Sequence, residues 1–247
     1  MKAMIGIVGG MGSHAAVSFF QQLIDRSPAR TDQDYMEILL HNNARIPDRT
    51  ENILYGGEDP LPELVRSVRI LENGGATIIV LACVTAHHYY NRLEASLTQA
   101  KLFHIVRETA DSACRMYPNL KQVGILATEG TIQTRLWQEE FHRRQIRALV
   151  LADADQEEYF NKVVYGPNGI KAGYRDAVLK NKLLAGCQQL IAMGAEAIIG
   201  ACSELPLVLS KEEVPVPYID SIQVTVAQLI DVYYNRTHEN ERTHPSD

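Results

Sequence analysis

Two of the four cysteines lie in matching parts of the sequence. The segment 75–83, which ends at Cys83, resembles the segment 194–202, which ends at Cys202: each begins with Gly-Ala, contains paired isoleucines and closes on Ala-Cys. The dipeptide Gly-Ile at 6–7 recurs at nearly the same spacing at 124–125. A long internal repeat of this kind indicates two similar structural units. Because ligands bind beyond the carboxyl ends of parallel strands, we expect both thiols to face one cleft between the units.

A pair of cysteines on opposite sides of a small molecule can move a proton. A thiolate is a competent base and a neutral thiol is a competent acid, and the N–H groups of a helical turn after the cysteine would stabilise the thiolate. With one thiolate and one thiol, a proton can leave one face of a carbon atom and return to the other face. Racemisation requires this arrangement, since a single base would have to move around the substrate.

The neighbours of each cysteine separate a reactive role from a packing role. A cysteine at the end of an apolar strand is commonly a small core residue. Cys114 and Cys187 fit that interpretation, because both lie inside helical patterns. Cys83 and Cys202 are followed by polar residues that are unusual in a pure core: Thr85 and His87 after the first, Ser203 and Glu204 after the second. The sequence has no C-x-x-C pair and no close Cys/His cluster, so we expect neither a disulfide framework nor a metal site.

Short apolar runs alternate with longer amphipathic segments, a pattern typical of parallel sheets flanked by helices. The predicted strands are 4–8, 36–40, 78–81, 123–126, 198–199 and 216–219, and the predicted helices are 15–24, 61–73, 106–116, 134–144, 177–193 and 221–234. Glycines at 74, 75 and 194 are expected to end two of these helices. We predict an α/β fold with two pseudo-symmetric lobes and the active site in the cleft between them. The first lobe comprises 1–100 plus 209–235, the second 101–208, and 236–247 form a flexible tail.

The composition narrows the class of protein. The 247 residues are 46% hydrophobic and 22% charged, with a net charge of -6. A negative field repels polyanions, so nucleic acid is not an expected partner. No apolar run approaches the length that spans a bilayer, and the N-terminus lacks the pattern of a secretory signal. We expect a cytoplasmic protein that acts on a small molecule, without membrane partners.

The glycine-rich start allows a second interpretation. Gly10, Gly12 and Ala15 follow the first predicted strand with the G-x-G-x-x-A spacing of dinucleotide sites. Such a site also needs an acidic residue at the end of the second strand, which here runs into the sequence His-Asn-Asn at 41–43. We therefore favour glycines that let the backbone approach a small carboxylate at a helix N-terminus.

Six motifs together resemble the aspartate/glutamate racemase superfamily that works without pyridoxal phosphate, most closely its aspartate racemase branch. They lie at 5–12, 43–50, 83–87, 126–131, 171–173 and 202–206, and so cover nearly the whole chain. The resemblance implies catalytic thiols at Cys83 and Cys202, no cofactor, and a homodimer. It assigns Arg49 and Lys171 to the distal carboxylate of aspartate. The other substrate-binding positions that it implies are Gly10, Met11, Gly12, Asn43, Val84, Thr85, Thr128, Thr131 and Ser203.

These positions also have ordinary structural explanations. Arg49 could be a surface arginine and Lys171 a solvated loop lysine. The threonines could be helix N-caps, and Asn43 could form an Asx turn. His87, four residues after Cys83, could satisfy packing or tune the thiolate.

The sequence departs from the superfamily pattern most seriously at Val84, and in minor ways at Ser13, Ala201 and Ser203. Val84 stands where the motif has asparagine after the first cysteine. A lost hydrogen bond to a charged group would weaken binding by roughly 1.5 to 3 kcal/mol, or the change marks a different substrate.

The sequence favours an aspartate racemase that transfers a proton between two cysteines. One alternative keeps the thiols but changes the substrate or reaction, as in the glutamate racemases, hydantoin racemases, maleate isomerases and arylmalonate decarboxylases of the superfamily. A decarboxylase needs only one protonating thiol, so the second cysteine disfavours it. The other alternative is a two-lobed dicarboxylate-binding protein, in which both thiols would be dispensable.

Overall fold

The computed structural model describes residues 3–243 and the side chains of residues 3–235. Its strands form two parallel sheets of four strands each within this range. The strands are β1 (Ile5–Gly9), β2 (Ile38–Asn42), β3 (Ile78–Leu81), β4 (Lys101–Leu102), β5 (Gln122–Leu126), β6 (Arg147–Leu149), β7 (Ala197–Gly200) and β8 (Tyr218–Asp220).

Helices cover the sheets and connect the strands. The α-helices are α1 (Ser13–Asp25), α2 (Arg49–Tyr55), α3 (Leu61–Asn73), α4 (Tyr90–Glu94), α5 (Ile105–Met116), α6 (Glu129–Gln133), α7 (Leu136–His142), α8 (Asp153–Gln156), α9 (Lys162–Tyr165), α10 (Ala177–Ala192) and α11 (Ser221–Thr243). A π-helical turn, Glu157–Asn161, joins α8 to α9. The 3-10 helices are Asp32–Asp34, Thr85–Tyr89, Ile170–Ala172, Leu205–Leu207 and Lys211–Glu213.

The two sheets have the same internal order, which confirms the predicted pair of similar α/β lobes. The first is ordered β2-β1-β3-β4 and the second β6-β5-β7-β8. The repeated segments of the sequence are therefore the two central strands of each sheet, β1 with β3 and β5 with β7. Cys83 and Cys202 follow β3 and β7, so equivalent strand ends carry both thiols.

One cluster of buried side chains extends from sheet to sheet. It contains Ile7 and Val80 of the first sheet together with Ile125 and Ile199 of the second. The central strands are buried along their whole length, as in parallel sheets with both faces covered. The two lobes thus share a core at the surface where they meet.

The chain divides between the sheets differently from the prediction at two strands. β4 begins at Lys101, the first residue predicted for the second lobe, but it pairs with β3 of the first sheet. β8 lies within 209–235, which was predicted for the first lobe, but it pairs with β7 of the second sheet. These assignments were wrong because pairing between strands decides the sheet, and local sequence does not encode it.

The helix ends agree with the glycine pattern. Gly75 and Gly194 adopt φ values of 99° and 103° just beyond α3 and α10, a conformation that favours glycine. The predicted helix 134–144 is α7, which is separated from α6 by Arg135 at a φ of 57°. α11 packs against α5 and α1 and continues to Thr243, well into the segment predicted as a flexible tail. Residues 244–247 of that segment lie outside the described residues.

Candidate active site

Cys83 and Cys202 are both buried where the two lobes meet, each with 6% of its surface exposed. The thiols are near enough for the charge of Cys83 to influence the ionisation of Cys202. A short 3-10 helix follows each cysteine, Thr85–Tyr89 after Cys83 and Leu205–Leu207 after Cys202. The sequence predicts a helical turn after each cysteine, and in the structure this turn is a 3-10 helix, which is wound more tightly than an α-helix.

The thiol of Cys202 resists ionisation. Burial raises its pKa to about 12, and the carboxylate of Glu204 acts in the same direction. The backbone N–H of Glu204, which donates to the sulfur, and the ammonium of Lys171 work against this rise. The predicted stabilisation of a thiolate by a following N–H group is therefore present at Cys202, but burial outweighs it.

Arg49 lies beside Cys83 and is only 5% exposed, so it is not the surface arginine of the ordinary explanation. It is the first residue of α2, which Asp48 caps through its side chain. Its Nη1 donates to the Pro47 carbonyl at 2.9 Å and its Nη2 to the Met11 carbonyl at 2.8 Å. Burial works to lower the pKa of the guanidinium, but the neighbouring Cys83 and Asp48 raise it. Arg49 is therefore a permanent cation against the first thiol.

Lys171 approaches the same carbonyl from the second lobe. It lies in the 3-10 helix Ile170–Ala172, and its Nζ donates to the Met11 carbonyl at 2.8 Å. The same Nζ lies 3.2 Å from Oε1 of Glu204. Two cations from different lobes thus converge on one backbone oxygen, which is an arrangement suited to a carboxylate.

A cavity of about 270 Å³ opens beside these groups. Gly10, Met11, Gly12, Ile46, Arg49, Lys171 and Glu204 are among the residues that line it. The residues that contact the two cysteines, Arg49 and Glu204, thus form its wall. A substrate that reaches the thiols from this cavity must displace or pass these two side chains.

At Gly10 and Gly12, neighbouring atoms occupy the space that a Cβ atom would need. Gly10 has a φ of 89°, and a Cβ atom there would overlap the backbone of Asn43. A Cβ atom on Gly12 would collide with Oε1 of Glu204. The glycine-rich segment therefore permits close approach of the Asn43 main chain and the Glu204 carboxylate. Its approach to the carboxylate of a ligand stays a prediction.

Three buried threonines join the lobes. Oγ1 of Thr85 lies 3.0 Å from Oγ1 of Thr128 and 2.9 Å from that of Thr131. Thr128 also caps α6 by accepting the backbone N–H of Thr131 at 3.2 Å. The N-capping role is thus confirmed for Thr128, while the hydroxyls of all three residues meet between the lobes.

Asn43, Val84 and Ser203 differ in what they contribute. The amide nitrogen of Asn43 donates to Oε2 of Glu63 at 2.8 Å and to the hydroxyl of Ser67 at 2.9 Å. Its Oδ1 accepts the backbone N–H of Arg45 at 3.1 Å, the bond of an Asx turn. Val84 is buried in the core shared by the lobes. Ser203 is also buried, in the turn that follows Cys202.

His87 supports the main chain of Cys83. Its Nδ1 lies 3.1 Å from the carbonyl oxygen of Cys83 and 3.2 Å from that of Val84, and its Nε2 accepts the backbone N–H of Ile105 at 3.2 Å. Because Nε2 accepts, the hydrogen must be on Nδ1. Burial, with a smaller contribution from the neighbouring His104, lowers the pKa of His87 to about 3. A neutral His87 therefore stabilises the turn after Cys83, and it does so through the carbonyl oxygens of Cys83 and Val84.

The other two cysteines occupy different surroundings. Cys187 is fully buried in the core of the second lobe, where burial raises the pKa of its thiol to about 12. Cys114 is half-buried on α5. Both agree with the packing role that the sequence predicted.

Tyr165 and Glu204 complete the site, and neither was predicted as a site residue. Burial raises the pKa of Tyr165, and the charges of Asp48 and of both thiols contribute to the rise. Its hydroxyl lies 3.3 Å from Oγ1 of Thr50 in the opposite lobe. The polar residue directly after Cys202-Ser203 was a visible signal for Glu204, whereas nothing near Tyr165 in the sequence marks it.

No group of three or more histidine, cysteine, aspartate or glutamate side chains among the described residues could hold a metal ion. None of the helices in the described part of the chain combines the length and apolar character needed to cross a membrane.

The site therefore combines two buried thiols, two cations that share one carbonyl oxygen, and a set of hydroxyl groups. Thiols can donate or accept a proton, and cations with oriented donors can stabilise the negative charge that forms when a carbon loses one. The arrangement can thus exchange a proton on a molecule that carries carboxylate groups.

Known proteins with similar sequences and folds point in the same direction. The family model for Asp/Glu/Hydantoin racemase matches residues 8–229. The broad specificity amino-acid racemase RacX of Bacillus subtilis (strain 168) is 28% identical over 241 residues, which are 93% of this chain and 98% of that protein.

Solved structures share the fold. The aspartate racemase of Picrophilus torridus superposes with a TM-score of 0.77 at 24% identity, covering 94% of both chains. The glutamate racemase isoform RacE1 of Bacillus anthracis superposes with a TM-score of 0.63 at 18% identity, covering 95% of this chain and 82% of that one. The match of the family model over most of the sequence confirms the predicted superfamily and the predicted isomerase class: the chain belongs to the Asp/Glu/Hydantoin racemase family and is a racemase.

Proposed function

We propose that the protein interconverts the L and D forms of an acidic amino acid, with aspartate as the preferred substrate, by proton transfer between Cys83 and Cys202 and without a cofactor. The observation that carries this proposal is the burial of the two thiols at equivalent strand ends, next to Arg49 and Lys171. Thiols on opposite sides of one carbon suit a reaction that must remove a proton from one face and add it to the other.

Binding would begin with the carboxylates. Lys171 and Arg49 both donate a hydrogen bond to the Met11 carbonyl oxygen. Because a carboxylate is a stronger acceptor than a neutral carbonyl oxygen, both side chains would turn to the carboxylate of a substrate. Nε of Arg49 is buried and has no acceptor within the described part of the chain, so it can serve the substrate directly. The hydroxyls of Thr85, Thr128 and Ser203 would serve the α-carboxylate and the α-amino group.

Proton transfer would follow in two steps. The thiolate of one cysteine takes the α-proton, and the electron pair remains on the α-carbon and its carboxylate. The thiol of the opposite cysteine then donates its proton to the other face, so that the two cysteines exchange protonation states. Cations and N–H groups around the carboxylate stabilise the carbanion, and the buried setting strengthens these interactions.

A wider range of amino acids is the second candidate. The relative from Bacillus subtilis is described as a broad specificity racemase. Val84 is also apolar and buried in the core here, where the superfamily motif has a polar residue. A substrate panel should therefore include glutamate and neutral and basic amino acids beside aspartate.

Deuterium exchange tests the proposal. L-aspartate and D-aspartate are incubated separately in D2O with the protein and no added cofactor, while NMR follows α-deuterium and a chiral separation follows the product. Wild-type protein should form the opposite enantiomer with deuterium at the α-carbon. Cys83→Ser and Cys202→Ser should each slow racemisation at least about hundredfold, in line with the usual contribution of a general acid or base.

The remaining cysteines provide matched controls. Cys114→Ala and Cys187→Ala should keep the exchange activity, although Cys187→Ala leaves a small hole in the core and should lower stability. The absence of exchange with every amino acid in the panel would overturn the proposal. Binding of aspartate without exchange would favour a dicarboxylate-binding protein instead.

A further inference from the structure

Glu204 is a carboxylate enclosed in the wall of the candidate site. It lies two residues after Cys202, and only 2% of its surface is exposed. Together with Gly12 and Lys171 it lines the cavity of about 270 Å³. Its Oε1 occupies the space that a Cβ atom of Gly12 would need. A buried carboxylate costs free energy unless a cation or hydrogen bonds compensate its charge, so its position calls for an explanation beyond packing.

Lys171 compensates this charge only in part. Its Nζ lies 3.2 Å from Oε1 of Glu204, but it donates its hydrogen bond to the Met11 carbonyl oxygen at 2.8 Å. Oε1 is buried and has no hydrogen-bond donor within the described part of the chain. Its neighbours Gly12 and Lys171 both line the cavity, so a ligand in the cavity can reach it. Oε1 can therefore accept a hydrogen bond from that ligand.

Three connected side chains carry charges that complement those of an acidic amino acid. Arg49 and Lys171 are cations that both donate to the Met11 carbonyl oxygen, and Glu204 is the anion in ion-pair contact with Lys171. At neutral pH aspartate carries two carboxylates and one ammonium group. The two cations match its carboxylates, and Glu204 matches its ammonium group. Succinate, a dicarboxylate without an amino group, has no charge that matches Glu204.

Binding of a carboxylate would leave Glu204 in greater need of a positive charge. Within the described part of the chain, Lys171 is the only cation in ion-pair contact with Glu204. A substrate carboxylate would draw Lys171 towards itself, because it is a stronger acceptor than the Met11 carbonyl oxygen. A buried charge that loses its partner destabilises the complex. An ammonium group on the same ligand removes that cost, since it brings a new positive charge to Oε1.

Asp48 is another carboxylate in the wall of the cavity, and its surroundings differ. Its Oδ1 accepts the backbone N–H of Glu51 at 3.0 Å and so caps α2. Asp48 is also only half-buried, so water can solvate its charge. An ammonium group gains more at Glu204, because burial strengthens an interaction between charges.

We propose that Glu204 accepts the α-ammonium group of the substrate, and that the site thereby selects amino dicarboxylates over dicarboxylates without an amino group. This inference rests on the proposed function and deepens it, because it gives the ammonium group a partner of opposite charge beside the partners of the two carboxylates. The α-carbon, which carries the ammonium group, would then be held near the turn that contains Cys202.

Titration calorimetry measures this selection as binding, without relying on turnover. The first ligand is DL-aspartate, because a racemic mixture is already at the equilibrium of racemisation and turnover then causes no net heat. The second is DL-malate, in which a hydroxyl group replaces the ammonium group, and the third is succinate, in which hydrogen replaces it. All three carry the same two carboxylates, so the differences in affinity report on the ammonium group.

Wild-type protein should prefer the amino acid, and Glu204→Gln should lose most of that preference. We expect wild-type protein to bind DL-aspartate at least about tenfold more tightly than DL-malate or succinate, in line with a hydrogen bond between charged groups. In Glu204→Gln the affinity for aspartate should fall, while the affinity for succinate should stay the same or rise, because the buried negative charge is gone.

Further variants separate charge from structure. Glu204→Asp keeps the charge and should retain more of the preference than Glu204→Gln does. Glu212→Gln makes the same chemical change at a mostly exposed carboxylate and should bind the three ligands as wild type does. Lys171→Met removes the cation that competes for Glu204, so both aspartate and succinate should bind more weakly, but succinate should lose more. This last variant tests the inference even where Glu204→Gln does not fold.

Several outcomes would overturn the role of Glu204. They are equal binding of aspartate and succinate by wild-type protein, binding of none of the three ligands, an unchanged preference in Glu204→Gln, and a smaller preference in Lys171→Met. Loss of the preference in Asp48→Asn, with Glu204→Gln unaffected, would assign the ammonium group to Asp48 instead.

The failure of this inference and the failure of the proposed function are distinguishable. A wild-type protein that selects aspartate over succinate but exchanges no α-proton would overturn the racemase reaction and keep the role of Glu204. A protein that racemises aspartate but keeps its preference in Glu204→Gln would retain the proposed function and lose this inference.

Discussion

The Oγ1 atoms of Thr85 and Thr128 lie 3.0 Å apart across the boundary between the two lobes. Thr85 belongs to the 3-10 helix that follows Cys83, and Thr128 caps α6 in the second lobe. Both side chains are buried, and a buried hydroxyl that loses its partner costs free energy. This hydrogen bond therefore ties the segment of the first thiol to the opposite lobe.

Replacement of Thr85 should loosen that connection. Thr85→Val keeps the shape of the side chain but removes the hydroxyl from Thr128 and Thr131. We expect the free energy of unfolding to fall by about 1 to 3 kcal/mol, as measured by urea denaturation. Thr85→Ser keeps the hydroxyl and should lose less. Equal stability of the valine variant and wild type would show that the hydrogen bond does not hold the lobes together.

Arg49 should discriminate between substrates with and without a second carboxylate. Arg49→Met removes a buried cation, and a lost charged contact of this kind costs about 2 to 5 kcal/mol, or roughly 30-fold to several-thousand-fold in kcat/KM. The loss should be larger for aspartate than for alanine, which lacks the distal carboxylate. Arg49→Lys should be intermediate because an ammonium cannot reproduce the fork of donors.

The measurement for Arg49 is the initial rate of racemisation with each amino acid. Urea denaturation of the same variants controls for the bonds that Arg49 makes to the carbonyls of Pro47 and Met11. A loss of equal size for aspartate and alanine would assign Arg49 to the α-carboxylate instead.

His87 should make the protein less stable in acid. Its pKa is lowered from 6.5 to about 3 by burial, so the unfolded chain takes up a proton at pH values where the folded chain does not. The stabilisation is therefore complete above pH 6.5 and is lost as the pH falls from 6.5 towards 3, by about 1.4 kcal/mol per pH unit. His104, with its pKa lowered to about 4 by burial and by Arg107, acts in the same direction.

Urea denaturation between pH 4.5 and 8 checks this expectation. Burial raises the pKa of Asp220 from 3.8 to about 6, so Asp220 works in the opposite sense: its stabilisation is present at low pH and is lost as the pH rises through 6. The difference between His87→Gln and wild type at each pH isolates the histidine. That difference should shrink as the pH falls, and a constant difference would contradict a neutral, buried His87.

A side chain at Gly12 should displace the carboxylate of Glu204. In Gly12→Ala the new Cβ atom would collide with Oε1 of Glu204, so the carboxylate must move away from Lys171 or the glycine segment must shift. We expect racemisation to fall about tenfold or more and stability to fall by roughly 1 to 3 kcal/mol. Ser13→Ala, at an exposed neighbouring position, is the control and should behave as wild type. An active Gly12→Ala would show that the site does not depend on the position of Glu204.

Predictions about the fold succeeded where one continuous segment carried a regular apolar pattern over many residues. α3 has the predicted limits because its apolar spacing is regular and glycines follow it. β4 and β6 have two and three residues, which is too short for alternation to be visible, and neither was predicted. β8 was predicted as a strand but assigned to the first lobe, because the order of strands in a sheet depends on packing between distant segments.

The sequence by itself determined the pair of thiols, because the repeated segments around Cys83 and Cys202 and the polar residues after them are visible without a structure. Only the tertiary structure decided what surrounds each thiol. Arg49 is far from Cys83 in the chain, as Tyr165 and Lys171 are from Cys202, and folding of the chain brings these groups together. Repetition in a sequence predicts equivalent positions, whereas charge contacts across a cleft arise from folding. The thiols are thus equivalent in their place in the fold and unequal in their electrostatic surroundings.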